Sequence, residues 1–202
     1  MQIVIEPVTN NEGEAAMLRI RQQVFEREMG IPSELLRMPE DARLLHLLAR
    51  VEPNENPVAA LTVIETTGHH QLHQSYGLRF DSGGRVARYT QLAVLKPYRG
   101  MNIPLMMMLE AHRRFVAPGQ FHFTWLLFDA ERAASSSMCR LLAFTPSAQT
   151  YRSEYGCSRA LVRDERTPRA GQAIRHAEQY LEQSLKLVSP AAPLLSRQTL
   201  SV

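Results

Sequence analysis

Between residues 85 and 116 the apolar pattern changes character across a short polar loop. Residues 85–95 read as a strand, Lys96-Pro-Tyr-Arg-Gly100 as the loop, and 103–116 as a helix. A chain with such a unit builds a sheet covered by helices rather than a bundle or a sandwich. The rest follows the same grammar. Residues 2–7 alternate as a short strand, and Asn10 and Asn11 offer N-cap chemistry to a helix over about 12–29, closed by Gly30 and Pro32. Residues 44–51, LLHLLARV, and 58–66, VAALTVIET, read as hairpin partners around Pro53–Pro57. Segment 31–43 is irregular, and 67–84, with three histidines and four glycines, reads as a long loop. A strand over 120–128, a helix over 131–143, a last strand over 155–165 and a helix over 170–187 follow, before a loose tail from 189. The order β-α-β-β-β-α-β-α-β plus one helix predicts an α/β fold: a mixed sheet with helices on its faces and an added C-terminal helix.

Composition narrows the classes. The chain has 202 residues, 45% of them hydrophobic, enough for a packed core. Its formal net charge is +3 with scattered basic residues, so a nucleic-acid partner is not expected. No stretch approaches the roughly 18 apolar residues of a membrane span. The N-terminal MQIVIEPV lacks the features of a signal peptide, and only two cysteines are present, so a cytoplasmic location with reduced thiols is expected. Paired-cysteine metal patterns are absent, and no metal is expected. His69, His70 and His73 read as solvated histidines, and His46 as a core histidine.

The stretch 92–105, LAVLKPYRGMNIPL, carries the most chemistry. A helix start offers unpaired N–H groups and the positive end of a dipole, which together bind phosphate. Gly100 permits close approach of backbone and Arg99 adds charge. Either this is a pyrophosphate site or an ordinary strand-to-helix turn. Arg21 lies inside the apolar sector formed by Met17, Leu18, Val24 and Phe25 on its helix. It is an anchor for a carboxylate or phosphate, an internal partner of Asp41 or Glu28, or an aliphatic stem that carries its charge out to solvent. Arg88 alternates with Val86 and Leu92 on one strand face and either meets an acidic acceptor or sits exposed. Met101 and Met106–Met108 crowd one helix, as ordinary core or as the lining of an acyl tunnel.

These residues resemble the GNAT superfamily of N-acyltransferases over roughly residues 1–165. Arg99 and Gly100 resemble the start of its acyl-CoA signature, [RQ]-x-x-G-x-[GA], with Asn102 and Pro104 standing where small residues are usual. Arg21-Gln-Gln-Val-Phe25-Glu-Arg-Glu28-Met-Gly30 resembles the superfamily's R-x-x-V-F-x-x-E-x-G helix. Asp41 and His46 resemble the D-x-x-x-x-H after it. Tyr151–Cys157 faintly resembles the stretch around its catalytic tyrosine. The helix and the strand Arg88–Val94 are similar to autoinducer synthases and N-acyl amino acid synthases. However, Arg88 and Gln91 replace the lactone synthases' glutamate and arginine, which disfavours that activity.

The resemblance implies a GNAT-like, mostly antiparallel sheet in an acyltransferase domain at 1–165, with a C-terminal helix and tail at 166–202. It implies transfer of an acyl group from acyl-CoA or an acyl carrier protein to the amine of a small molecule, an amino acid among the candidates. Leu92, Ala93, Val94, Leu95, Arg99, Gly100, Met101, Asn102, Ile103 and Pro104 would bind the donor. Arg21, Phe25 and Arg88 would bind the acceptor, and Tyr151 or Tyr155 would protonate the thiolate. The central strands are expected to splay after Val94, freeing Ala93, Val94 and Leu95 for the pantetheine arm. The altered motif at Asn102 and Pro104 also keeps open a catalytically inactive GNAT-fold protein that binds an acyl ligand or a protein partner.

Overall fold

In the computed structural model the described residues are 2–32, 34, 42–53, 56–66, 72, 76, 78, 80, 84–133, 135–153 and 156–188. Seven strands form one sheet: β1 (Gln2–Pro7), β2 (Leu44–Glu52), β3 (Asn56–Thr66), β4 (Val86–Val94), β5 (Phe123–Asp129), β6 (Thr145–Ser153) and β7 (Gly156–Asp164). Their spatial order is β1-β2-β3-β4-β5-β7-β6, and every pairing is antiparallel except β4 with β5. The helices are α1 (Asn11–Arg21), α2 (Ile103–Ala111), α3 (Ser137–Leu141) and α4 (Pro168–Val188). The mixed, mostly antiparallel sheet and the added C-terminal helix are those the sequence predicts.

The uninterrupted apolar runs of β2 and β3 follow from a sheet covered on both faces. Leu48 and Ala60 point to a cluster beneath α1 with Ile20, Val24 and Phe25. Their neighbours Leu47 and Leu61 point to the opposite cluster, with Met107 and Met108 of α2 and Ala177 of α4. Asn10 caps α1 as its position predicts, accepting the Gly13 N–H at 2.8 Å.

Several boundaries differ from expectation. The helix foreseen over 12–29 is α-helical only to Arg21 and continues as a π-helix over Gln22–Glu28, ending where Gly30 takes φ +70°. The helix foreseen over 103–116 likewise ends in a π-helix, His112–Val116. The helix foreseen over 131–143 shrinks to α3, because the Asp129 carboxylate takes the N–H groups of Glu131 and Arg132 and holds a turn there. Strand β6 has no counterpart in the sequence reading. Its polar sequence, with Pro146 inside, suits an edge strand paired only with β7. The tail from 189, Asp41, Tyr155, His69, His70 and His73 lie outside the described residues.

Candidate functional site

Strands β4 and β5 run side by side only from Val86–Tyr89 against Phe123–Leu126, and then part. The cause is local. On β3, Ala60 and Thr62 pair with Ala93 and Thr90, so two β4 residues, Gln91 and Leu92, stand opposite Leu61 alone. Gln91 accommodates this bulge with φ 51°. Meanwhile Leu127, Phe128 and Asp129 keep pairing with β7. The sheet therefore opens at the bulge after Tyr89, earlier on β4 than the Val94 foreseen from sequence.

A cavity of about 660 Å³ occupies the gap. Val24, Phe25, Glu28 and Met29 approach it from the α1 side. Leu61, Tyr89, Met108 and Met138 belong to the opposite side, and Leu126–Asp129 form the far wall. The near wall is Thr90, Gln91, Leu92 and Val94. The N–H of Leu95 donates to Val58 O at 2.9 Å, so by strand alternation Ala93 and Leu95 face β3 while the amide groups of Val94 face the gap. Of the three residues expected to free their backbone, Val94 alone points the required way.

The mouth is built by the loop before α2. Gly100 takes φ +91°, and no atom would meet a Cβ there. Asn102 takes φ 57° and accepts the first intrahelical N–H, from Met106, at 3.0 Å. Asn102 thus supplies the left-handed geometry that a glycine would, a conformation asparagine tolerates. Pro104 stands in the first turn, where a helix has no partner for an N–H. Arg99 donates from Nε to Val94 O at 3.0 Å and from Nη2 to the Glu28 carboxylate. That guanidinium holds the Glu28 carboxyl below its ordinary range.

Arg88 and Phe25, two of the three residues the resemblance assigns to the acceptor, line the cavity. The Arg88 guanidinium lies 4.8 Å over the Trp125 ring, and its buried Nε makes no hydrogen bond among the described residues. Arg21 is buried, on the same sheet face but not in the cavity wall. It donates to Thr62 Oγ1, which also hydrogen-bonds His46 Nδ1 at 2.6 Å. Glu28, one of its two foreseen partners, is held instead by Arg99. Burial, reinforced by the Arg21 charge, pushes His46 down to about 4.

Tyr151, on β6, also lies outside the cavity wall. Its ring packs 4.9 Å from Tyr76, which in turn lies 5.2 Å from Trp125. Burial, aided by Tyr76 and opposed by Arg88, raises its hydroxyl above the usual tyrosine range. The sequence reading missed Tyr89, Asp129 and Arg132 as lining residues, and took Glu28 as a partner for Arg21 and a position of the helix motif but not as a site residue. The one signal for Asp129 is its charge at the end of an apolar strand, QFHFTWLLF.

No family model matches the chain, and no curated protein matches it. Solved structures share its fold. The CoA-dependent acyl-homoserine lactone synthase BjaI, solved with MTA, is similar at TM-score 0.65 and 16% identity, over 90% of each chain. FeeM, an N-acyl amino acid synthase from uncultured soil microbes, is similar at TM-score 0.56 and 12% identity, over 81% of this chain and 92% of that one. An acyl-CoA N-acyltransferase from Pseudomonas aeruginosa is similar at TM-score 0.54 and 14% identity, over 80% and 98%. These neighbours are GNAT-fold N-acyltransferases, and the chain has the GNAT fold.

Proposed function

We propose that this GNAT-fold chain transfers an acyl group from an acyl-CoA thioester to the amine of a small acceptor that carries a carboxylate, as an amino acid does. The observation that carries the reading is the opened sheet: a cavity between β4 and β5 that ends at a helix start shaped by Gly100 and Asn102. The pyrophosphate would sit on the N–H groups of Met101–Ile103, with Arg99 beside it. The pantetheine arm would pair with the gap-facing Val94 N–H of β4, as an extra strand would, beside the Val94 carbonyl that Arg99 holds. Leu61, Met108, Leu126, Phe128 and Met138 offer the acyl chain an apolar wall.

On the α1 side, Phe25 and Arg88 would receive the acceptor. A half-buried guanidinium with a spare donor, braced on an indole, suits a carboxylate. The acceptor nitrogen attacks the thioester carbonyl, an N–C bond forms, the C–S bond breaks, and the thiol leaves. Positioning supplies most of the rate. Pro104, which removes one N–H from the phosphate-binding turn, is the feature that favours the alternative of a binding protein without turnover.

Incubation with acyl-CoA and a mixture of amino acids, followed by measurement of free thiol, tests the reading. Amine-dependent thiol release is expected. Tight acyl-CoA binding with no release would establish the binding protein instead.

A further inference from the structure

Among the described residues two carboxylates line the cavity, Glu28 and Asp129. Asp129 is committed to the backbone, where its Oδ1 accepts from the N–H groups of Glu131 and Arg132 at 3.0 and 3.1 Å. Glu28 instead accepts from a side chain, Arg99, the cation that a donor pyrophosphate would require. Gln23 and Lys96 are the other groups facing it among the described residues. Because the same guanidinium also holds Val94 O, the Glu28 carboxylate stands one guanidinium's breadth from the strand edge along which the pantetheine arm would lead to the thioester.

Resting on the acyltransferase reading, we propose that Glu28 binds the acceptor's ammonium and takes its proton, and that Arg99 masks Glu28 until the donor's phosphates draw the guanidinium away. Neutralising Arg99 removes the charge that holds the carboxyl acidic, so the base becomes competent when the donor is in place. The ammonium gives one proton to Glu28, which passes it to solvent. The freed lone pair forms the N–C bond. When the C–S bond breaks, its electron pair leaves on sulfur, and the second nitrogen proton ends there as the thiol. The mask thereby couples donor binding to acceptor activation.

Glu28→Gln and Glu28→Asp are compared with the wild-type chain by equilibrium binding of CoA and by kcat against pH at saturating acyl-CoA. Circular dichroism checks that each folds. Glu28→Gln is expected to bind CoA several-fold more tightly, since the guanidinium no longer has a carboxylate to leave. It is also expected to lose kcat by about 10²–10⁴-fold together with the acid limb of the profile, which Glu28→Asp retains. A Glu28→Gln chain with wild-type kcat and an unchanged acid limb overturns the base, and unchanged or weaker CoA binding overturns the mask. If the wild-type chain binds CoA but acylates no amine, the acyltransferase reading fails. The CoA affinity of Glu28→Gln still decides the mask.

Discussion

Arg88 lines the cavity with a buried Nε that makes no hydrogen bond among the described residues, while Trp125 holds its plane. Arg88→Gln should raise the KM for a carboxylate-bearing acceptor by an amount equivalent to about 2 kcal/mol, as when a charged contact loses one half, and leave CoA affinity unchanged. Steady-state kinetics with an amino acid and with its carboxylate-free amine check this, because the second acceptor should lose little. His46 works in a different way. Folded, it stays neutral until pH falls to about 4, whereas its ordinary value is 6.5. Between those values the unfolded chain holds the extra proton, so the stability tied to His46 is complete above about 6.5 and is lost as pH falls towards 4. Melting curves from pH 7 to pH 4 should therefore fall less steeply for His46→Gln than for the wild-type chain.

At the scale of the element, the site depends on one bulge and one change of helical type. Gln91 with φ 51° turns β4 away from β5, and a β-branched residue resists that conformation. Gln91→Val should lower stability by about 1–2 kcal/mol and weaken CoA binding, whereas Gln91→Gly should preserve binding. Denaturant unfolding and CoA titration of both variants check this. The π-helix over Gln22–Glu28 belongs to the same assembly, because Val24, Phe25 and Glu28 all reach the cavity from it. Apolar periodicity showed a helix here but not its wider winding. It passed over β6 altogether, since TPSAQTYRS has neither strict alternation nor an apolar core and pairs along β7 alone.

Across the whole molecule, α4 closes the face of the sheet opposite α1. Ala177, fully buried, sits in the cluster with Tyr89, Met107 and Met108, and Ile174 and Leu181 pack around it. Ala177→Glu should lower stability by at least about 3 kcal/mol, measured by denaturant unfolding, because it places a charge inside the apolar cluster. Much of this architecture is written locally. The Asn10 cap, the stop at Gly30, the strand–loop–helix around Lys96–Gly100 and the amphipathic α4 each depend on residues within a turn or two of one another. The sequence by itself therefore determined the order of most elements, the C-terminal helix and the strand-to-helix turn before α2. What lies between distant segments was decided only by folding. Glu28 meets Arg99 across 71 positions and Arg21 meets Thr62 across 41. The gap between β4 and β5 exists because β5 keeps its register with β7 while β4 bulges against β3. Period and propensity describe one segment at a time, whereas charge partners and strand separation are set by register between segments, and that is a property of the tertiary structure alone.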